Sequence, residues 1–200
     1  MSKQYLSHLI FVIGISLAIT GCQALAGEYT FKGTHLQPTM PLPDFELLDT
    51  NGEPFRLSDA DGELTLVYFG YTFCPDVCPL TLADLHATLE GLDSREQINV
   101  VFISVDPERD TPELVAQYVA AFDPTFIGLT DTPERTQAAM EAFGVFSEKE
   151  EAVGSAADYL VTHSSRVFLV NRQGEIEGLY SFDFAPEDLR SDLEFLLNQG

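Results

Sequence analysis

Leu64-Thr65-Leu66-Val67-Tyr68-Phe69 runs directly into Gly70-Tyr71-Thr72-Phe73-Cys74-Pro75-Asp76-Val77-Cys78-Pro79. The apolar run reads as a buried strand, the segment after it as a tight loop, and Pro79 as the opening of a helix. Two thiols therefore stand at a strand-to-helix junction, where the positive end of the helix macrodipole favours ionised sulfur. Thiolate is the form that both disulfide exchange and soft-metal binding require.

Outward from that junction the chain alternates. Phe45 and Leu47, the turn Asp49-Thr50-Asn51-Gly52, and Phe55 and Leu57 predict an N-terminal hairpin. Leu82, Leu85 and Leu89 line one face of a helix that Gly91 stops, and Ile98 to Val105 is a second buried strand. Thr111-Pro112-Glu113 and Thr132-Pro133-Glu134 each supply an N-cap, a proline at the first helical position and an acid in the first turn. The first of these helices carries Leu114, Val115, Tyr118, Val119 and Phe122, the second Ala139, Met140 and Phe143, with a short strand at Phe126 to Leu129 between them. Ser147 to Asp158 reads as an exposed loop. Val167 to Val170 and Ile176 to Tyr180 form a closing hairpin, and Leu189, Leu193, Leu196 and Leu197 mark a final helix. Helices between buried strands predict an α/β fold with a mixed central sheet flanked by helices. A Cys pair at the first βα junction makes that fold thioredoxin-like.

At 200 residues and 45% hydrophobic content the chain suffices for one domain with a substantial core and is short for two. With 10 basic against 32 acidic residues, a net charge of −22 argues against nucleic acid and against adhesion to anionic lipid. A highly soluble acidic surface explains it, with a basic protein partner as the alternative. Lys3 followed by the apolar run from Leu9 to Ile19 predicts a signal peptide over residues 1–21. Ile19-Thr20-Gly21-Cys22 resembles the bacterial lipobox, whose cysteine is lipidated and becomes the mature N-terminus. An uncleaved anchor running on to Leu25 is the competing reading. Either way the globular part lies outside the cytoplasm, on the periplasmic side, held to the membrane by a tether over 22–40 and folded over 41–200. With Cys22 assigned to the anchor, Cys74 and Cys78 are an isolated couple. Closing so short a loop removes little chain entropy, so a structural staple explains them poorly.

Thioredoxin-type oxidoreductases carry C-x-x-C, whereas C-x-x-x-C lets both sulfurs converge on a third point while still permitting a disulfide. Of the four histidines, His8 falls in the signal segment and His35 in the tether. His86 stands beside Asp84 and Thr88, off the leucine stripe, and reads as a solvated helix residue. His163 precedes the closing hairpin, a segment that approaches the Cys loop in a thioredoxin-like layout. Position alone leaves a satisfied histidine and a ligand both open.

The chain resembles the Sco/SenC family of copper-binding, thioredoxin-fold proteins that help assemble cytochrome c oxidase. The likeness runs from about Phe31 to the C-terminus. It is carried by Phe31-Lys32-Gly33-Thr34, by Phe69 to Pro79, by Ser104-Val105-Asp106-Pro107-Glu108-Arg109-Asp110-Thr111-Pro112-Glu113, and by Tyr159 to Ser165. The resemblance implies that Cys74 and Cys78 are thiolate ligands and His163 an imidazole ligand. Phe73 stands where the family often has histidine, and Thr162 where it often has an acid that would orient His163. Thiolates favour Cu(I), and adding imidazole tolerates Cu(II); zinc usually wants a fourth ligand in a closed structural site. Asp76 and Asp158 are candidate acceptors around the ligands, and the Asp106 to Glu113 acids read as a strand exit and helix cap.

The implied function is a membrane-tethered chaperone that delivers copper to the dinuclear copper site of cytochrome c oxidase. Its partners would be the copper-site subunit, an upstream copper donor and a thiol reductant, since a disulfide removes both sulfur ligands. A thiol–disulfide oxidoreductase acting on that subunit is the alternative; it needs Cys74 and Cys78 but not His163. A peroxidase is a third reading, because Phe45 to Ser58 resembles peroxiredoxin-like chains. Thr72, two rather than three residues before Cys74, counts against it.

Overall fold

The computed structural model describes residues 29–43, 45–60, 62–151 and 159–199. The signal segment, Cys22 and Asp158 lie outside them. The chain divides into Met1–Thr30 and Phe31–Gly200, and every element below belongs to the second. These are β1 (Thr34–Pro41), β2 (Leu47–Leu48), β3 (Pro54–Phe55), β4 (Leu64–Gly70), α1 (Val77–Glu90), β5 (Ile98–Ser104) and α2 (Pro112–Phe122). They continue with β6 (Ile127–Leu129), α3 (Pro133–Phe143), β7 (Ser147–Glu151), β8 (Tyr159–His163), β9 (Arg166–Asn171), β10 (Glu175–Ser181) and α4 (Pro186–Leu197). Among the described residues no helix is long and apolar enough to cross a membrane.

One six-stranded sheet runs in the order β1-β10-β9-β4-β5-β6. β4 is parallel to β5 and antiparallel to β9, with Tyr68 opposite Phe102 on one side and Val167 on the other. All seven residues of β4 are buried, as expected of a strand hydrogen-bonded on both edges and covered on both faces. On one face Tyr68 and Phe102 meet α1 and α2, with Phe102 packing on Tyr118 at 5.6 Å between ring centroids. On the other, Phe69, Phe143 and Phe168 form an edge-to-face cluster, 5.1 Å from Phe69 to Phe143 and 5.0 Å from Phe143 to Phe168. Such pairs add to the burial of apolar area that holds α3 to the sheet. The mixed, thioredoxin-like architecture expected from the alternation is the one observed.

The helix starts follow their sequence chemistry. Thr111 and Thr132 accept from Leu114 N and Arg135 N, each ahead of a proline in the first turn. α3 ends on Gly144, whose φ of +64° is the left-handed C-cap conformation that glycine adopts at least cost. Leu114, expected on the inner face of α2, is instead exposed, and Val115 and Val119 are the buried positions.

Three expectations need correction. The segment read as a tether to residue 40 contains β1, an edge strand of the main sheet that pairs with β10 through Thr34 opposite Leu179 and Met40 opposite Ile176. Its alternation is blurred by Pro38 and Pro41, which an edge strand tolerates because one rank of N–H groups goes unpaired. His35, placed in that tether, stacks on Phe31 at 4.4 Å. The loop expected from Ser147 begins as β7, paired antiparallel with β8, with Ser147 opposite His163.

The Phe31-Lys32-Gly33-Thr34 motif has a structural use. Asp192 of α4, fully buried, accepts from Lys32 N at 2.9 Å, Gly33 N at 2.9 Å and the Tyr180 hydroxyl at 2.9 Å. A Cβ on Gly33 would lie 2.5 Å from the Tyr180 ring, so only glycine lets the backbone reach that carboxylate. Asp192→Ala strands the buried Tyr180 hydroxyl and two partly buried backbone N–H groups, each costing up to about 1–3 kcal/mol and the latter two partly offset by water. Chemical denaturation should show a loss of about 3 kcal/mol with an unchanged slope against denaturant.

Candidate metal centre

The Cys loop leaves the carboxyl end of β4, where open α/β sheets place their sites. Its second residue, Thr72, is fixed from below. Asp110, buried after β5, accepts from Thr72 N at 3.1 Å, Thr72 Oγ1 at 2.5 Å and Ser104 Oγ at 2.6 Å. Burial raises this carboxyl's pKa above the usual range, against the pull of those same bonds. The carboxylate thus bolts the loop to the end of the neighbouring strand.

α1 begins at Val77, two residues before the expected start, so Cys78 lies in its first turn and Pro79 follows where a missing N–H costs nothing. Asp76 precedes the helix without a side-chain cap. The Cys74 sulfur takes that role and accepts from Cys78 N at 3.4 Å. Cys78 is fully buried and Cys74 partly so, and both are free. The imidazole of His163 arrives from the end of β8, 85 residues away in sequence, with Nε2 3.5 Å from Cys78 Sγ. Nδ1 faces the Ser164 carbonyl at 3.4 Å.

The two thiols are strongly unequal. Cys74 is pulled down to about 4, first by hydrogen bonding from Cys78, then by His163 and by backbone N–H groups of Asp76 and Cys78, against burial. Cys78 is pushed up by the same pairing and by its burial. One proton is thus kept on the inner sulfur and shared with the outer, which rests as thiolate at the start of α1.

Both sulfurs and the imidazole can serve a soft ion, and His163 Nε2 already stands 3.5 Å from Cys78 Sγ. Among the described residues no three His, Cys, Asp or Glu side chains form a cluster ready to enclose an ion as they stand.

A family model described as SCO1/SenC matches residues 34–198. The chain belongs to the SCO1/SenC family. An SCO2-like protein of Rickettsia felis is 36% identical over 154 residues, 76% of this chain and 74% of that one. The solution structure of apo Sco1 from Thermus thermophilus is 40% identical with a TM-score of 0.74, covering 86% of this chain and 99% of its own. A crystal structure of Arabidopsis thaliana ScoI with copper bound is 33% identical with a TM-score of 0.74, covering 80% and 99%.

Within this SCO1/SenC domain, the two positions that depart from the common pattern have other partners. Thr162 Oγ1 donates to Glu150 at 2.7 Å on the exposed side of the β7–β8 ribbon, so orientation of His163 is left to Ser164. Phe73 is exposed and takes the Arg109 guanidinium over its ring at 4.9 Å. Asp76 is exposed and bonds the pair only through its backbone.

Asp106, Arg109 and Asp110 are the residues that sequence reasoning undervalued. Arg109 bonds Asp106 through Nε at 2.6 Å, donates to the Tyr159 carbonyl at 3.0 Å and lies 3.6 Å over the Tyr159 ring. The Tyr159 hydroxyl bonds Asp106 at 2.6 Å, and burial followed by that bond pushes it up to about 12. Arg109 thereby joins the Cys loop, the exit from β5 and the strand that carries His163. The signal was available in their place directly after a buried parallel strand, at the sheet end where sites collect. His86, read as solvated, bonds buried Asp123 at 2.8 Å through Nδ1, a structural pair away from the sulfurs.

Alkylation of the reduced protein at pH 6 should label Cys74 rapidly and leave Cys78 silent, with a rate midpoint near pH 4. Thiolate nucleophilicity is lost as pH falls through that value. In Cys78→Ala the midpoint should climb by at least a unit, because the donor that stabilises the Cys74 thiolate is gone. Mass spectrometry of the labelled peptides checks both.

Proposed function

We propose that this chain carries copper as cargo on Cys74, Cys78 and His163 and hands it to the dinuclear copper site of a cytochrome c oxidase subunit during assembly. One observation carries the reading: an imidazole Nε2 3.5 Å from a buried sulfur that is itself paired with a second, more exposed one. Two sulfurs and one nitrogen suit Cu(I) and tolerate Cu(II), and three ligands leave a side open to an incoming donor. Membership of the SCO1/SenC family supports it, as does the likeness to a structure solved with copper bound.

Transfer proceeds by ligand exchange. Cys74, the more accessible thiolate, is the natural first ligand to be displaced, while Cys78 and His163 hold the ion from within. Lipidation at Cys22, after cleavage of residues 1–21, would keep the domain at the extracytoplasmic membrane face where such a subunit is assembled. An oxidising compartment demands a thiol reductant to keep both sulfurs available, and an upstream donor to load them.

The inequality of the thiols also favours a second reading, a thiol–disulfide oxidoreductase with Cys74 as nucleophile and Cys78 as resolving thiol. His163→Ala separates the two. Copper delivery expects Cu(I) affinity to fall on the order of 100-fold or more and oxidase assembly to fail in cells. Intact assembly with weakened copper binding would leave redox exchange as the function.

A further inference from the structure

Tyr68 is fully buried on β4, three residues before the Cys loop leaves that strand, and among the described residues its hydroxyl has no hydrogen-bond partner. A buried hydroxyl left unpaired is costly, so its neighbours show what it is kept for. A Cβ on Gly70 would stand 3.0 Å from Tyr68 Cε1 and 3.1 Å from Cys78 Sγ: phenol and sulfur close over the same bare backbone. The Tyr68 ring also lies 6.3 Å from the His163 imidazole, edge to face. Cys78 Sγ and Thr81 Oγ1 adjoin the hydroxyl, but neither meets hydrogen-bond distance and angle with it. Thr81 donates its own proton to the Val77 carbonyl at 2.9 Å.

We propose that the Tyr68 hydroxyl donates a hydrogen bond to the Cys78 sulfur once that sulfur is a copper ligand, making Tyr68 a positioning residue that tunes the metal–sulfur bond. This rests on the ligand set proposed above. As a thiol, Cys78 is a weak acceptor and does not repay the phenol for turning toward it. As a metal-bound thiolate it is an anion, and a charge-assisted bond is roughly twice as strong as a neutral one. The unpaired hydroxyl of the free protein is then a donor held in reserve for the loaded state. A hydrogen bond to a ligating sulfur withdraws electron density from it, lowering its donor strength and orienting its lone pairs. Tyr118 supplies a built-in comparison: its hydroxyl is likewise buried and unpaired, but its ring packs on Phe102 and Phe122.

The test compares the reduced full-length chain, Tyr68→Phe and Tyr118→Phe, each titrated with Cu(II) and with Cu(I) in detergent. In Tyr68→Phe the sulfur-to-copper charge-transfer band of the Cu(II) adduct should move to lower energy. Release of Cu(I) to a chelator should accelerate roughly tenfold, the loss expected for a hydrogen bond to a charged group. Tyr118→Phe should leave both unchanged. Without copper, Tyr68→Phe should melt at the wild-type temperature or above it, since it deletes an unpaired buried hydroxyl. A lower melting temperature would mean the hydroxyl was already engaged in the free protein, and would overturn the proposal. Copper uptake with an unmoved band and unchanged release in Tyr68→Phe overturns the tyrosine's role alone. A wild-type chain that takes up no copper overturns the ligand set and this inference with it.

Discussion

The bonds that Asp110 makes to Thr72 and Ser104 set the position of everything above the sheet. A strand end alone does not define where the next residues go, because the backbone leaves the ladder there. By holding Thr72 through both its N–H and its hydroxyl, a buried carboxylate removes that freedom just ahead of Cys74. The loop then turns into α1 with Cys78 already facing inward. Arg109, next in sequence, reaches across to Tyr159 and fixes the other approach to the site. Adjacent residues thus serve two sides of one candidate site, which relates the Cys loop to β8 without direct pairing between them.

The sulfurs divide their labour through environment rather than chemistry. Cys74 takes the place of a helix cap and shares in the field of the α1 amino terminus, while Cys78 lies against Gly70, Tyr68 and His163. The same thiol group is an anion in one position and a proton store in the other.

Much of this was legible in the residues. β4 and β5 announce themselves because strands covered on both faces are apolar throughout, and the Thr-Pro-Glu starts of α2 and α3 carry their own capping chemistry. β1 was not legible, because an edge strand with two prolines and mixed exposure lacks a clear period. β7 was missed for a related reason: Ser147-Glu148-Lys149-Glu150-Glu151 buries almost nothing, and its order comes from pairing with β8. The cysteine pair could be read directly, whereas the partnership of His163 with it depended on resemblance. A contact across 85 residues leaves no local periodicity. The same holds for His86 and Asp123, two polar residues whose pairing only the folded chain brings about.

The clasp of Asp192 on Lys32 and Gly33 has a mechanical meaning. An edge strand tugged from its leading end would part from β10 one hydrogen bond at a time, the weakest way to load a sheet. Here a pull on the segment before residue 32 meets α4 first, and α4 is anchored through Leu189 and Leu193 in the core. Tension is shared with a helix instead of being spent on unzipping, so force entering at residue 32 is spread into the core before it reaches the Cys-loop end of the sheet.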